Sequence, residues 1–576
     1  MKNYYYDCKG KNMNGKFRLL IGAVAVMSCM IMTWTKEIRA EEVTVTALLT
    51  EPILMNPCDN TVSVVWFTEE PGNDNTVILY ENGSDKPATR QISANTKLMS
   101  RLRGGKTEAT RDDPSIRAMI YRHEAIVNKL PLYRGNNNEK IPYKVVSDIA
   151  ESDIYSLHSK SQPGSDVRIL LTSDLQGKPM SVANFTKAYE TLQEVDAILA
   201  NGDIVDVIDS AYYWFYADNA FFKVMTGKAD YTLNGVTYKG GEFLQNTPIY
   251  AALGNHDYMG RFSTKNLLSE QFNDPAPDDY NRITWKEIFS MPRNDKMEEN
   301  YYMTTIGDVG LITLDVNRPW RLSNLGIRGR YSELIGSTAD IDGGGEFIFE
   351  SVEKGSPQYN FFEKSLKSKS YQNSKYKMVM FHSPYSTLGS NGEHAFTNPV
   401  KSVVKDSVTG QDMTIFNYPL ENDYIANNLV PLMEQEGVNL LFEAHTHIWN
   451  RFETQSGMKV LETSNVGNTY GGYYNGQDMR SGIPSAFVKN DARSNMAKYW
   501  DANDFALTDD LYGNEPEFPN IQALPGDKPY LSSDTITEFS VIDTKGGCVD
   551  SYYFDTEKPE SEVVKFDSFE LVSFRN

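Results

Sequence analysis

Five apolar runs in this chain end on side chains that can hold a metal ion. VRILLTS runs into Asp174, DAILAN into Gly202-Asp203, and PIYAAL into Gly254-Asn255-His256-Asp257; KMVMF runs into His382, and NLLFEA into His445-Thr446-His447. Alone, an Asp after a strand is ordinarily a turn residue and a buried His a hydrogen-bonded structural one. Five such ends in a chain with only seven histidines point instead to convergence. The set combines carboxylates, an amide and imidazoles without thiolates, a mixed oxygen and nitrogen environment that suits Fe, Mn or Zn. Two cations with a shared ligand need roughly seven or eight donor positions, and these runs supply that many.

Positioning them is a matter of strands. The carboxyl ends of strands in one α/β sheet lie along a single rim, so residues distant in sequence meet there. From Val167 onward apolar runs alternate with amphipathic segments, the pattern of an α/β domain. ANFTKAYETLQEV, for example, places Phe185, Ala188, Tyr189, Leu192 and Val195 on one helical face. The aromatic stretch SAYYWFYADNAFF at 210–222 reads as helix packing, with stacking of a base or sugar near the metals as its alternative. Before Val167, from Glu42 to Gln162, VTVTALL, TVSVVWFT and NTVILYENG read as short strands between turn residues. That pattern predicts a small β-sandwich, closed by the turn-rich linker SKSQPGSD. Its two histidines, His123 and His158, have no catalytic spacing and are expected to be structural.

At 576 residues the chain exceeds what one hydrophobic core organises. The first forty residues stand apart: basic residues precede the 16-residue apolar run Leu19–Trp34. A spanning helix needs about 20 residues, so the segment is expected to be a signal peptide (1–40) and the mature protein to have no stable membrane span. Cleavage near Ala40 removes seven Lys/Arg and two Asp/Glu, taking the formal charge from -21 to -26. So acidic a surface argues against nucleic-acid binding and requires any anionic substrate to be drawn in locally. Cys58 and Cys548 then remain, either as one long-range disulfide or as two unpaired thiols.

In order, SDLQG, NGDIVD, LGNHDY, VMFH and AHTH resemble the five blocks of the calcineurin-like metallophosphoesterases. The likeness is closest to the purple acid phosphatase branch, in which a fibronectin-III-like domain precedes the catalytic one. In that branch the last block also continues into an aromatic residue and an Arg, as HIWNR does here. The resemblance spans most of residues 44–456, and ITEFSVID and VDSYYFDT look like terminal strands returning to the sheet. It implies a metallophosphoesterase α/β sandwich over 167–576 preceded by the all-β domain at 42–162.

Carried over residue by residue, the resemblance gives Asp174, Asp203 and His447 to one metal and Asp203, Asn255, His382 and His445 to the other, with Asp203 bridging. The ions would be divalent or mixed-valence. The implied reaction is hydrolysis of a small phosphate ester by a metal-bound water, with Asp203, Asn255 and His256 as the catalytic group and His256 protonating the leaving oxygen, partnered by Asp257. Arg318, Arg330 and Arg451 are candidate phosphate contacts; His394 and the loop NVGNTYGGYYNG at 465–476 are candidate pocket elements. The chain departs from the family at two positions. Gln176 stands where most members have His, and Asp206 where the purple branch has its Tyr. Gln176 is expected either to ligate the first metal or to bond its water, and without a tyrosinate ligand the iron form should not be purple.

These readings favour an exported phosphomonoesterase. A phosphodiesterase or nucleotide hydrolase with the same site is one alternative, and a cell-surface binding protein with a structural metal site is another. The sequence leaves the oligomeric state open.

Overall fold

The computed structural model describes residues 47–572, apart from 114, 136–138, 260–280, 319–326, 329–331, 337–349, 390–395, 399, 406–409, 469–472, 475–476, 479–513, 515 and 525–527. The five apolar runs become the strands Arg168–Thr172, Ala197–Asn201, Ile249–Ala252, Tyr376–Met380 and Leu440–Glu443. They lie in two sheets rather than one. The first three are parallel neighbours at the centre of a ten-stranded sheet. The last two are parallel neighbours in a seven-stranded sheet, flanked by the parallel strands Val309–Thr313 and Lys459–Thr463.

Period-2 alternation explains how the sheets stack. Met378 and Met380 join Leu440, Phe442 and Leu461 in the core shared with Ile169, Leu171 and Ala251 of the first sheet. The intervening Val379 and Leu441 face the other way, into a second core with Phe362 and Leu366 of the helix Pro357–Leu366. The helix Pro179–Leu192 buries Phe185, Ala188 and Leu192, and its Asn184 donates to the Glu538 carbonyl at 2.7 Å. Trp214, Phe215, Phe221 and Phe222 of the aromatic stretch pack into the main core.

The ten-stranded sheet continues past these three strands on both sides. On one side Ile536–Asp543 pairs antiparallel with Arg168–Thr172, followed by Cys548–Asp555 and Val564–Glu570. On the other, Ile53–Cys58 pairs parallel with Ile249–Ala252 through Met55 and Ile249, and Thr61–Thr68, Tyr121–Val127 and Asn95–Leu98 follow. The amino-terminal β-region is therefore a sandwich that shares a sheet with the three parallel strands. Leu54, Val64 and Trp66 pack on Val77, Leu79, Tyr143 and Val145 of its other sheet. The alternate residues Ile53, Met55, Val65 and Phe67 belong to the main core with Ile169 and Leu171. His123 bonds Thr68 and Thr96, and His158 bonds the Ser159 carbonyl, so both are structural. Cys548 is a free thiol, so it forms no bond with Cys58.

Near the carboxyl-terminal strands the interior turns polar. Glu538 accepts from Thr463 Oγ1 and from the Asn465 N–H at 3.2 Å, and Ser540 links Thr463 to Ser551. Burial pushes the Glu538 carboxyl up to about 8 from an ordinary 4.5, against the pull of the Thr463 and Asn465 donors. Between those values the unfolded chain holds fewer protons than the folded one. Stability from this group is complete below the ordinary value, falls as pH rises through the window, and levels off above about 8. Urea melts of the metal-free protein between pH 5 and 9 should show that fall, and Glu538→Gln should flatten it.

Candidate metal centre

The two sets of strand ends meet at one rim, and the backbone there is unusual. Asp174, Gln176, Asp203, His445 and His447 all have positive φ, from 47° to 84°. L-residues rarely adopt this region, and it clusters where surrounding structure over-determines the chain. Two glycines permit the close approach. A Cβ on Gly202, itself at φ 81°, would collide with the Gly254 nitrogen, and one on Gly254 would collide with the Asp203 carboxylate.

The side chains fall into two groups about Asp203. On one side Gln176 Nε2 donates to Asp203 Oδ2 at 3.0 Å, and His447 Nε2 lies 3.3 Å from Asp174 Oδ1. On the other, His382 Nε2 lies 3.5 Å from Asp203 Oδ2 and 3.1 Å from Asn255 Oδ1. His445 Nδ1 is 2.8 Å from the same Asn255 oxygen. Asp203, His382 and His445 present ligand atoms within 4.8 Å of one another. The structure thus brings together all seven residues that the sequence nominates as ligands.

These residues fit a pair of cations. Asp174 Oδ1 and Gln176 Oε1 are buried acceptors that receive no hydrogen bond, which is costly unless a cation or other donor completes them. Second partners orient the rings: His382 Nδ1 sits 2.8 Å from the Asn201 carbonyl and His447 Nδ1 3.0 Å from Asn468 Oδ1. Protons on those nitrogens leave both Nε2 atoms free to ligate, whereas His445 presents Nδ1. Asn201 and Asn468 carry no sequence signal for this role.

Without a cation, burial opposes charge on His382, but the Asp203 and Asp174 carboxylates outweigh it and push the ring up to about 10. Burial opposes charge on Asp203 too, yet His382 and His256 hold it well below the usual carboxylate range. Burial and the positive His382 keep His445 neutral.

His256 lies beside this cluster. Its N–H donates to Asp203 Oδ1 at 2.7 Å, and its Nδ1 faces the Asp206 carbonyl at 2.9 Å and carboxylate at 3.2 Å. The expected partner, Asp257, is turned inward by the short 3-10 turn Asn255–Asp257 and accepts from the Asp203 and Gly254 N–H groups. Asp206 takes the partner role instead, and Lys178 lies 3.7 Å from it. Arg451 is not a phosphate contact: it is buried and paired with Asp567 and Glu517. Arg318 is buried under Phe396 and Tyr418. Arg330, His394 and half of the 465–476 loop lie outside the described residues.

Residues 167–449 match the family model of the calcineurin-like phosphoesterases. Among solved structures, the purple acid phosphatase PPD1 from yellow lupin (Lupinus luteus) seeds is similar at 14% identity and a TM-score of 0.52, covering 90% of this chain and 74% of that one. PhoD is similar at 10% identity and a TM-score of 0.45, covering 90% and 91%. No curated protein matches in sequence.

Because His382 holds a proton in the metal-free state and must lose it to ligate, metal affinity should rise with pH. Calorimetric titration of Mn or Zn at pH 7, in buffers of different ionisation enthalpy, should register release of about one proton from this ring. Uptake without proton release would contradict the assignment.

Proposed function

Residues 167–449 form a calcineurin-like metallophosphoesterase domain, and from that premise we propose that this metal-dependent phosphoester hydrolase is an exported phosphomonoesterase with a dinuclear centre. The observation that carries the reading is the place of Asp203. One carboxylate stands between the Asp174, Gln176 and His447 group and the Asn255, His382 and His445 group, within 3.0–3.5 Å of a member of each. A carboxylate so placed can hold two cations about 3.5–4 Å apart and offset their repulsion. Fe, Mn and Zn all suit the donor set.

When bound, the cations supply Lewis acidity and a water nucleophile of lowered pKa. The chain's own residues do the rest. Asp174 and Asp203 set the charge of the pocket, so that two divalent ions leave it near +2 and a phosphate can enter an acidic protein. His256 holds a proton at Nε2 for the leaving oxygen, while Asp206 fixes the ring through Nδ1. Asn255 Oδ1 lies within 3.1 Å of both His382 Nε2 and His445 Nδ1, so that all three atoms would serve the second cation. Gln176 offers a neutral oxygen where an imidazole would bind more tightly. Asp206 is committed to His256, which supports a centre without a tyrosinate band. The first forty residues support export; among the described residues no helix is long and apolar enough to cross a membrane.

The test is turnover of a phosphate-ester panel by metal-reconstituted protein, with metal content measured on the same sample. Monoesters should be cleaved fastest; faster cleavage of diesters or nucleotides would overturn the substrate assignment. Asp203→Asn should lose most activity, about 100-fold or more, and bind fewer cations, because one bridging oxygen loses its charge. His256→Ala should keep its metal and lose about 100-fold on esters with poor leaving groups but much less on activated ones. Equal losses on both would remove the acid role.

A further inference from the structure

We propose that Glu462, whose side chain bonds none of the seven candidate ligands, is a positioning residue that sets the separation of His445 and His447. The proposal rests on the metal-centre reading above.

Glu462 lies in the strand Lys459–Thr463 and is fully buried. An apolar residue would suit such a strand, and a buried carboxyl is costly unless donors satisfy it. Here they do. Oε1 accepts from the Thr446 N–H at 2.9 Å, from Thr446 Oγ1 at 2.6 Å and from Ser464 Oγ at 2.7 Å. Oε2 accepts from Thr387 Oγ1 at 2.8 Å and Asn450 Nδ2 at 3.1 Å.

Thr446 is the residue between the two histidines, and both neighbours have left-handed backbone, at φ 84° and 59°. Such a pair is unfavourable for non-glycine residues and persists only if something external holds it. In a regular strand, side chains at i and i+2 would point the same way; the left-handed turn lets the two rings serve different cations. Glu462 grips the middle of that turn by both backbone and side chain.

It also reaches the other histidine loop. Thr387 Oγ1, which donates to Glu462, lies 2.9 Å from Thr446 Oγ1, and Asn450, held by Glu462, accepts the Leu388 N–H at 2.8 Å. The segment after His382 and the segment carrying His445 and His447 are therefore tied to one carboxyl. Glu443, on the neighbouring strand, accepts the Tyr385 and Ser386 N–H groups of the first segment.

Glu462→Gln is the informative variant because it keeps the shape and removes one acceptor. Asn450 Oδ1 is occupied by the Leu388 N–H, so its NH2 must face residue 462. The new amide then points its own NH2 at either the Thr446 N–H or the Asn450 NH2, a donor against a donor. Competitive chelator titration of the full chain with Mn or Zn should show both binding steps weakened, by about 10–100-fold. At subsaturating metal kcat should fall with KM little changed, and excess metal should restore it, which a general loss of folding would not allow. If Glu462→Gln does not fold, Thr446→Val, which deletes only the hydroxyl bonds, should give a smaller loss in the same direction. Wild-type affinity for both cations in a folded variant would overturn the positioning role and leave the metal centre standing. Failure of the wild-type protein to take up either cation would overturn both.

Discussion

The centre depends on backbone held where non-glycine residues seldom go. Asp174, Gln176, Asp203, His445 and His447 are all left-handed, at a cost of roughly 1–3 kcal/mol each. That cost is sustained because each residue follows a fully packed parallel strand and is gripped from outside. Asp257 accepts the Asp203 and Gly254 N–H groups at once, and Glu462 accepts that of Thr446. Gly202 and Gly254 supply contact too close for any side chain. The sharp turns let side chains leave their strands toward a common point, and the sandwich of two sheets provides walls rigid enough to keep them there.

The same turns concentrate acceptors. Asp174, Gln176, Asp203 and Asn255 place carboxylate and amide oxygens in a buried space, where unpaired acceptors are unfavourable. In the metal-free chain a proton on His382 offsets part of this charge. Cations would offset it fully and turn an acidic protein locally receptive to phosphate. His256 stands at the edge of that space, its Nδ1 engaged by Asp206.

Much of the candidate centre was legible in the sequence because the candidate ligands other than Gln176 follow directly on apolar runs, and a buried strand that stops on Asp, Asn or His is a local signal. The division into two sheets was not legible, since an apolar run does not say which sheet it joins. Nor was the continuity of the amino-terminal sandwich with the catalytic sheet. TVSVVWFT is buried on both faces, and the pairing that joins the sheet beyond it, Met55 of the preceding strand with Ile249, spans nearly two hundred residues. The choice of Asp257 as the histidine's partner failed for a local reason: a 3-10 turn aims adjacent side chains apart, and Asp206 arrives from another loop. Arg451 has the right spacing after His447, yet Asp567, more than a hundred residues away, neutralises it. Asn201, Asn468 and Glu462 act through long-range hydrogen bonds that no spacing reveals.

The central claim is that one carboxylate bridges two cations held by residues from two sheets. Anomalous scattering from crystals of the protein loaded with Mn or Zn measures this directly. The account predicts two peaks about 3.5–4 Å apart, one beside Asp174, Gln176 and His447, the other beside Asn255, His382 and His445, with Asp203 between them. A single peak, or two peaks that do not share Asp203, would contradict it.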